Sequence, residues 1–288
     1  MTLPTTALRN LLRRDAPILV PGVYDALTAK LAQLEGFPVV HVGGYAVSAT
    51  HLGLPDISFL TMTEMLWVLR NITASVDMPV IADGDTGYGN FLNVRRLIRE
   101  LERARVAGVH IEDQVFPKRC GHLEGKRVVS TGEMVDKVKA AVDARADPDF
   151  VIIARTDSLA VHGLEDALER GRAYAEAGAD IVFIEAPETV EQVRTIPKMI
   201  PVPVLYNWAY TGKSPALPFS VLGEMGYKLV LFTDTVFAAT KAVIDLFKNL
   251  KESGTYDTFS DRMIAFEKFN TLIGLREVEL LEQRYSGS

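Results

Sequence analysis

The chain has 288 residues, 48% hydrophobic and 24% charged, with 37 acidic against 31 basic side chains and a net charge of −6. That length suits a single barrel of alternating strands and helices, and the acidic balance argues against a nucleic-acid partner, which wants a basic stripe. A single cysteine excludes an intrachain disulfide, the N-terminus lacks the features of a signal peptide, and no continuous apolar run approaches the ~18 residues of a membrane span, so a cytoplasmic protein is expected.

Eight short apolar runs recur along the chain: Pro17–Val20, Pro38–Val42, Pro79–Asp83, Gly108–Glu112, Phe150–Arg155, Asp180–Glu185, Pro203–Tyr206 and Lys228–Phe232. Each is rich in Val, Ile and Leu, as a parallel strand buried on both faces requires. Amphipathic stretches separate them. Asn93–Gly108 carries its apolar residues on a helical period and ends in glycine. The stretch "STGEMVDKVKAAVDA" opens on Ser130 and Thr131 with Glu133 nearby, the pattern of a capped helix. Eight strand–helix units in a chain of this size predict an α/β protein, a (β/α)₈ TIM barrel, ahead of an open doubly wound sheet. The prediction is one barrel domain over 1–288, with 255–288 as a surplus amphipathic helical extension that packs on a neighbouring subunit.

In such a barrel the chemistry lies at the C-terminal ends of the strands. The residues delivered there include "GGY" at Gly43–Tyr45, Asp83 and Asp85 in "ADGDTGYG", Glu112 and Asp113 in "HIEDQ", Arg155 and Asp157 in "ARTD", Glu185 in "IEAPE", Asn207 in "YNWAYTG" and Thr233 in "LFTDT". Crowded carboxylates repel one another unless a cation neutralises them, and oxygen donors suit Mg²⁺ or Mn²⁺. Asp85 is the expected direct ligand, with Asp83, Glu112 and Glu185 reaching the metal through water. The glycine turn offers backbone N–H groups to an anionic oxygen. Arg155 suits a substrate carboxylate or an ion pair with Glu112 or Asp157, and Asn207 is a neutral donor. After strand four, "KRCGH" places the only cysteine, Cys120, beside Lys118, Arg119 and His122 in a glycine-flanked loop. That pattern describes a lid carrying an acid–base group, and the flanking cations and histidine are expected to lower the thiol pKa toward neutrality.

The motifs "PGVYDALTAKLA", "LGLPD" (Leu52–Asp56), "ADGDTGYGN", "GVHIEDQVFPKRCGHLEGK", "DFVIIARTDSL" and "GADIVFIEAPE" together resemble the isocitrate lyase/phosphoenolpyruvate mutase superfamily. The resemblance covers about Pro21 to Lys248. It implies a barrel whose terminal helix swaps between subunits, usually in a homotetramer. It also implies Mg²⁺ on Asp85 with Asp83 and Glu112 in its shell. It implies oxyanion contacts at Gly44 and Tyr45, and carboxylate contacts from Arg155 and Asn207. Gly43, Asp56, Glu185 and Thr233 complete the expected substrate-binding set. Cys120 places the chain with the carbon–carbon lyases, as proton donor to the departing carbanion, with Lys118, Arg119 and His122 supporting it. Tyr45 or a metal-bound hydroxide is the expected base.

Further motifs, "GGYAVSATHLGLPD" and "GKSP", look like the 2,3-dimethylmalate lyase, oxaloacetate hydrolase and petal death protein branch. The implied substrate is a substituted 2-hydroxy dicarboxylate of the 2,3-dimethylmalate or 2-methylisocitrate type. The alternatives are oxaloacetate hydrolysis, then phosphonopyruvate-type C–P chemistry, then a non-catalytic metabolite-binding barrel. The chain departs from the family pattern at Gly43 (usually Ser or Thr), Trp208 and Tyr210, on the expected substrate side of the pocket.

Overall fold

A computed structural model describes residues 2–286. All eight predicted runs are strands: β1 Ile18–Val23, β2 Val40–Val42, β3 Val80–Asp83, β4 Gly108–Glu112, β5 Val151–Thr156, β6 Ile181–Ile184, β7 Val204–Trp208 and β8 Tyr227–Phe232. They pair in parallel in chain order and close, β8 against β1, into a barrel. The fold is the expected TIM-barrel-like α/β architecture.

Alternation along each strand decides what faces inward, because successive side chains point to opposite faces. Ile18 and Val20, Ile81, Val151 and Ile153, Ile181 and Phe183, Leu205, and Leu229 and Leu231 pack together as one buried cluster. The intervening residues Val80, Ala82, Val109, Ile111, Ile152 and Ala154 belong to a second cluster that includes Val94, Leu97, Ile98 and Leu101 of the helix Phe91–Arg103. Two residues beyond the inward apolar positions, the same parity delivers Asp83, Arg155, Glu185, Asn207 and Thr233. Parity thus makes the bottom of the barrel apolar and its mouth polar.

The helices begin where the sequence supplies caps. Thr61 and Glu64 form a capping box on Met62–Ser75, and Ser130 Oγ accepts from Glu133 N at 3.2 Å to open Thr131–Ala144. The N-terminal helix Pro4–Leu12 plugs the barrel floor. Its Leu8 and Leu11 join the interior cluster, and Arg9 donates to Asp149 O and pairs with Asp180 at 2.8 Å, at the entry ends of β5 and β6.

The chain divides into two compact units, Met1–Thr235 and Val236–Ser288. The barrel strands all lie in the first. In the second, the long helix Thr235–Ser253 is followed by a 3₁₀ turn, Asp257–Arg262, and helices Phe266–Leu272 and Leu275–Tyr285. Arg262 pairs with Asp245 at 3.3 Å and lies over the Phe259 ring. Among the described residues no helix is long and apolar enough to cross a membrane.

Leu8 is fully buried in the barrel floor. Truncating it removes a side chain that neighbouring strands are too constrained to replace, so Leu8→Ala should lose about 2–5 kcal/mol of stability, measured by urea denaturation with an unchanged slope.

Candidate functional site

Neighbouring strands set the polar residues side by side. The β3–β4 register pairs Asp83 with His110, and the β4–β5 register pairs Glu112 with Arg155. The turn after β3 is locked to β4: Gly84 N donates to His110 O and Glu112 N to Asp85 O, both at 2.9 Å. A side chain at Gly84 would put a Cβ 2.9 Å from His110 O, so this turn needs glycine there. Asp85 itself is held at φ +46°, a left-handed conformation that non-glycine residues avoid. Asp83 organises the turn by accepting Gly44 N and Asp85 N, each at 2.9 Å. Gly44 N–H, expected to face a substrate oxygen, is thus turned to Asp83.

The loop after β4 lies closed over this mouth. Lys118 Nζ is 2.7 Å from Asp56 and 2.9 Å from Asp85 Oδ1, and Lys118 N donates to Ser58 Oγ at 2.8 Å. Gln114 brackets Arg119, accepting its N–H and donating to its carbonyl, and the Arg119 side chain is exposed. Cys120 N donates to Asp56 O at 3.2 Å. Gly121 presses so closely on the site that an added Cβ would fall 2.5 Å from Arg155 Nη2 and 2.6 Å from Glu185 Oε1. Its carbonyl accepts from Lys126, which also pairs with Asp157 at 3.5 Å. His122 Nδ1 accepts from Lys213 N at 3.1 Å, so the ring is the Nε2–H tautomer and donates to Glu185 Oε1, 3.0 Å away.

Arg155 lies between carboxylates. It donates through Nε and Nη2 to Asp157, at 2.9 and 3.1 Å, and its Nε lies 3.3 Å from Glu112 Oε2 without hydrogen-bond geometry. The ion-pair alternative for this residue is therefore realised. Asp113 does not face the mouth. It accepts from Thr156 Oγ1, Asp157 N, Tyr174 OH and Arg170 Nη1, between the strands and the helix Leu164–Glu176. Asn207 donates to Glu185 Oε1 at 3.2 Å. Trp208, at the opposite parity, points away from the mouth: its Nε1–H donates to Leu217 O at 3.1 Å and its ring stacks on Phe232. Its bulk does not narrow the pocket. Tyr210 is exposed, with its N–H on Asp234. Thr233 and Gly43 are half-buried at the ends of β8 and β2.

These surroundings drive titrating groups apart. Burial pushes Asp85 up to about 6, opposed by Lys118, and pushes Glu112 well above the carboxylate range, opposed by Arg155. Glu185 goes the other way, to about 2, because Arg155 and His122 outweigh its burial. Burial also raises the Tyr45 phenol, helped by Cys120 and Asp56, which favours phenol over phenolate. For Cys120 the expectation from its neighbours in sequence is reversed. Burial pushes the thiol up to about 11, because the Lys118 ammonium turns from it to Asp56 and Asp85 and the Arg119 guanidinium points to solvent.

The donor set suits a hard divalent cation. Both oxygens of Glu112 and Glu185 Oε2 are buried without a hydrogen-bond partner, Asp85 Oδ1 meets the Lys118 ammonium, and all are oxygens, as Mg²⁺ prefers. Among the described residues no three acidic, histidine or cysteine side chains converge as a ready-made cage. One direct carboxylate with water-mediated others needs no such cage. Residues that sequence reasoning passed over also serve the site. Ser58, Gln114, Lys126 and Lys213 hold the loop after β4, and His110 sits beside Asp83. Only His110 was marked by strand parity.

A family model, phosphoenolpyruvate phosphomutase, matches residues 8–251. The chain belongs to the phosphoenolpyruvate mutase/isocitrate lyase superfamily, a superfamily of enzymes. It is 46% identical to the 2,3-dimethylmalate lyase of Eubacterium barkeri over 97% of both chains. A structure of oxaloacetate acetylhydrolase in complex with 3,3-difluorooxalacetate superposes with a TM-score of 0.94 at 34% identity, covering 99% of this chain and 98% of that one. A phosphonopyruvate hydrolase in complex with oxalate and Mg²⁺ superposes with a TM-score of 0.90 at 30% identity, covering 99% of both.

A thiol titrating near 11 should be alkylated ever faster as pH rises. Iodoacetamide labelling of Cys120, followed by mass spectrometry, should climb about tenfold per pH unit through pH ~9.5. An ordinary thiol levels off about one pH unit above its pKa of ~8.5, and a plateau by pH ~9.5 would contradict the buried environment.

Proposed function

We propose that this chain is a Mg²⁺-dependent carbon–carbon lyase that cleaves a substituted 2-hydroxy dicarboxylate, of the 2,3-dimethylmalate or 2-methylisocitrate type, to a 2-oxo acid and a carboxylate. The observation that carries the reading is the lid: it brings Cys120, a thiol kept protonated, over a mouth of buried carboxylates. The likeness to a 2,3-dimethylmalate lyase over nearly the whole chain supports it.

Asp85, with Asp83 and Glu112 behind it, would hold a divalent cation, which would stabilise the negative charge that develops on the substrate. The Arg155 guanidinium favours an anionic substrate, and Asn207 orients it. Tyr45, as phenol, donates a hydrogen bond to a substrate oxygen. The 2-hydroxyl proton passes to the carboxylate cluster, the C2–C3 bond breaks, and C2 becomes a carbonyl. The bonding pair stays on C3 as a carbanion delocalised into its own carboxylate. Cys120 gives its proton to C3, and the resulting thiolate is stabilised by the N–H of His122. The Glu185–His122 contact and the Lys118–Asp56–Asp85 cluster hold the lid while this happens.

Oxaloacetate hydrolysis is the second reading, supported by the close superposition on an oxaloacetate acetylhydrolase. Proton NMR separates the two. The protein with Mg²⁺ is given 2,3-dimethylmalate, 2-methylisocitrate, isocitrate and oxaloacetate together. Loss of one hydroxy acid with growth of its 2-oxo acid is the expected result. Acetate and oxalate from oxaloacetate alone would replace the lyase reading. Cys120→Ser should lower the lyase rate by about 10²–10⁴-fold, the usual worth of general acid catalysis, and a retained rate would remove the thiol from the mechanism.

We also propose that the protein is a single-domain barrel whose segment 255–288 packs on a neighbouring copy, in a cytoplasmic helix-swapped homotetramer. Phe266, Leu275, Val278 and Leu281 remain exposed in the single chain, an apolar surface that a partner would cover. Light scattering after size exclusion should give about four times the chain mass, and a chain truncated after Gly254 should run smaller.

A further inference from the structure

The turn after β3 is held from two directions. Toward the strands its backbone is fully tied: Asp85 N donates to Asp83 Oδ1, Glu112 N to Asp85 O, Gly84 N to His110 O and Gly87 N to Gly84 O, all at 2.9 Å. None of these bonds engages the carbonyl of Thr86, a buried residue, and a buried carbonyl needs a donor. The donor comes from the outer layer of the fold. Lys137, on the helix Thr131–Ala144, reaches Thr86 O through Nζ at 3.1 Å.

A lysine at this place is unfavourable unless its ammonium is used. Lys137 is only 3% exposed, and an ammonium out of water needs acceptors. The carboxylate it pairs with, Glu133 Oε1, is 3.8 Å away, beyond hydrogen-bond reach, and belongs to a half-exposed side chain. Thr86 O is the acceptor within reach. That bond bears on the residue before it. Asp85 is held at φ +46° and Gly87 at φ +86°. A non-glycine residue persists in the left-handed region only where its surroundings over-determine it. The Thr86–Gly87 peptide lies next to Asp85, and glycine lets that peptide rotate with little steric resistance. Lys137 removes this freedom by fixing the carbonyl.

We propose that Lys137 is a positioning residue: from behind the barrel wall it fixes the Thr86 carbonyl and so holds Asp85 in the conformation that presents its carboxylate at the mouth. Lys137 touches neither substrate nor cation. It acts through the Thr86–Gly87 peptide on Asp85, whose Oδ1 meets Lys118 of the loop after β4. Its effect on cation binding rests on the role proposed above for Asp85, whereas its effect on the turn does not.

The test uses the full chain. Lys137→Met keeps the length of the side chain and removes the donor, and Lys137→Arg keeps a donor. Hydrogen–deuterium exchange of the metal-free protein, read by mass spectrometry, reports on the turn directly. In the methionine variant the peptide spanning 84–88 should exchange at least about tenfold faster, through local opening, while peptides from β6 and β7 exchange as in the parent. Arginine should restore most of the protection. Unchanged exchange of 84–88 in a folded methionine variant would overturn the proposal. Mn²⁺ affinity without substrate, read by electron paramagnetic resonance, tests the consequence. The methionine variant should bind about tenfold more weakly, the lower end of the effect of losing a partner behind a metal ligand, and arginine should recover most of the affinity. A merely structural lysine would lower the unfolding temperature and leave the Mn²⁺ affinity of the folded variant unchanged, and that result would overturn the positioning role. A parent that binds no Mn²⁺ would overturn the metal reading instead, with the exchange result still deciding for Lys137. Should the methionine variant not fold, Lys137→Gln, too short to reach Thr86 O, takes its place in both measurements.

Discussion

The Lys118 ammonium, buried between Asp56 and Asp85, ties the lid to the floor of the site. The barrel forces carboxylates from different strands toward one mouth, and like charges in a low-dielectric setting destabilise one another strongly. Lys118 and Lys126 enter that mouth on the same loop that carries the thiol. That loop therefore adds positive charge to the mouth, beside Arg155. Removing one member of such a buried set typically costs about 3–5 kcal/mol, because the remaining charge is stranded. The loop after β4 and the mouth are thus linked through charge balance rather than through shape alone.

The same crowding separates the acids by function. Glu185, beside Arg155 and His122, stays ionised, while Glu112, buried at the centre, is pushed to the opposite side of the scale. Pushing neighbouring groups apart is how one pocket holds donors and acceptors at a single pH. Cys120 follows this rule too. The general acid of the proposed lyase reaction would be better served by desolvation than by nearby cations, and the Lys118 and Arg119 charges are directed elsewhere.

Much of the architecture was readable from the sequence, because a parallel strand buried on both faces leaves a short Val/Ile/Leu run and its end leaves a polar residue. Asp83, Asp85, Glu112, Arg155, Glu185 and Asn207 were found by that logic. Side-chain direction was the harder part. Asp113 and Trp208 sit next to site residues in sequence and face away from them in space, since a step of one residue in a strand changes face. Lys118 flanks Cys120 closely in sequence, yet its four-carbon stem reaches Asp85 instead. The Lys137–Thr86 contact joins positions 51 apart in sequence, from a helix to a turn, and a single sequence carries no local signal for such a pairing.

The helix Pro4–Leu12 seals the barrel at the end opposite the lid, anchored through Arg9 to the entry of β5 and β6. Whatever is fused ahead of that helix emerges at the end of the barrel opposite the mouth. The protein can therefore be tethered to a surface, or joined to a second enzyme, through this end of the barrel with the mouth left uncovered. A graft at the loop after β4 would obstruct it.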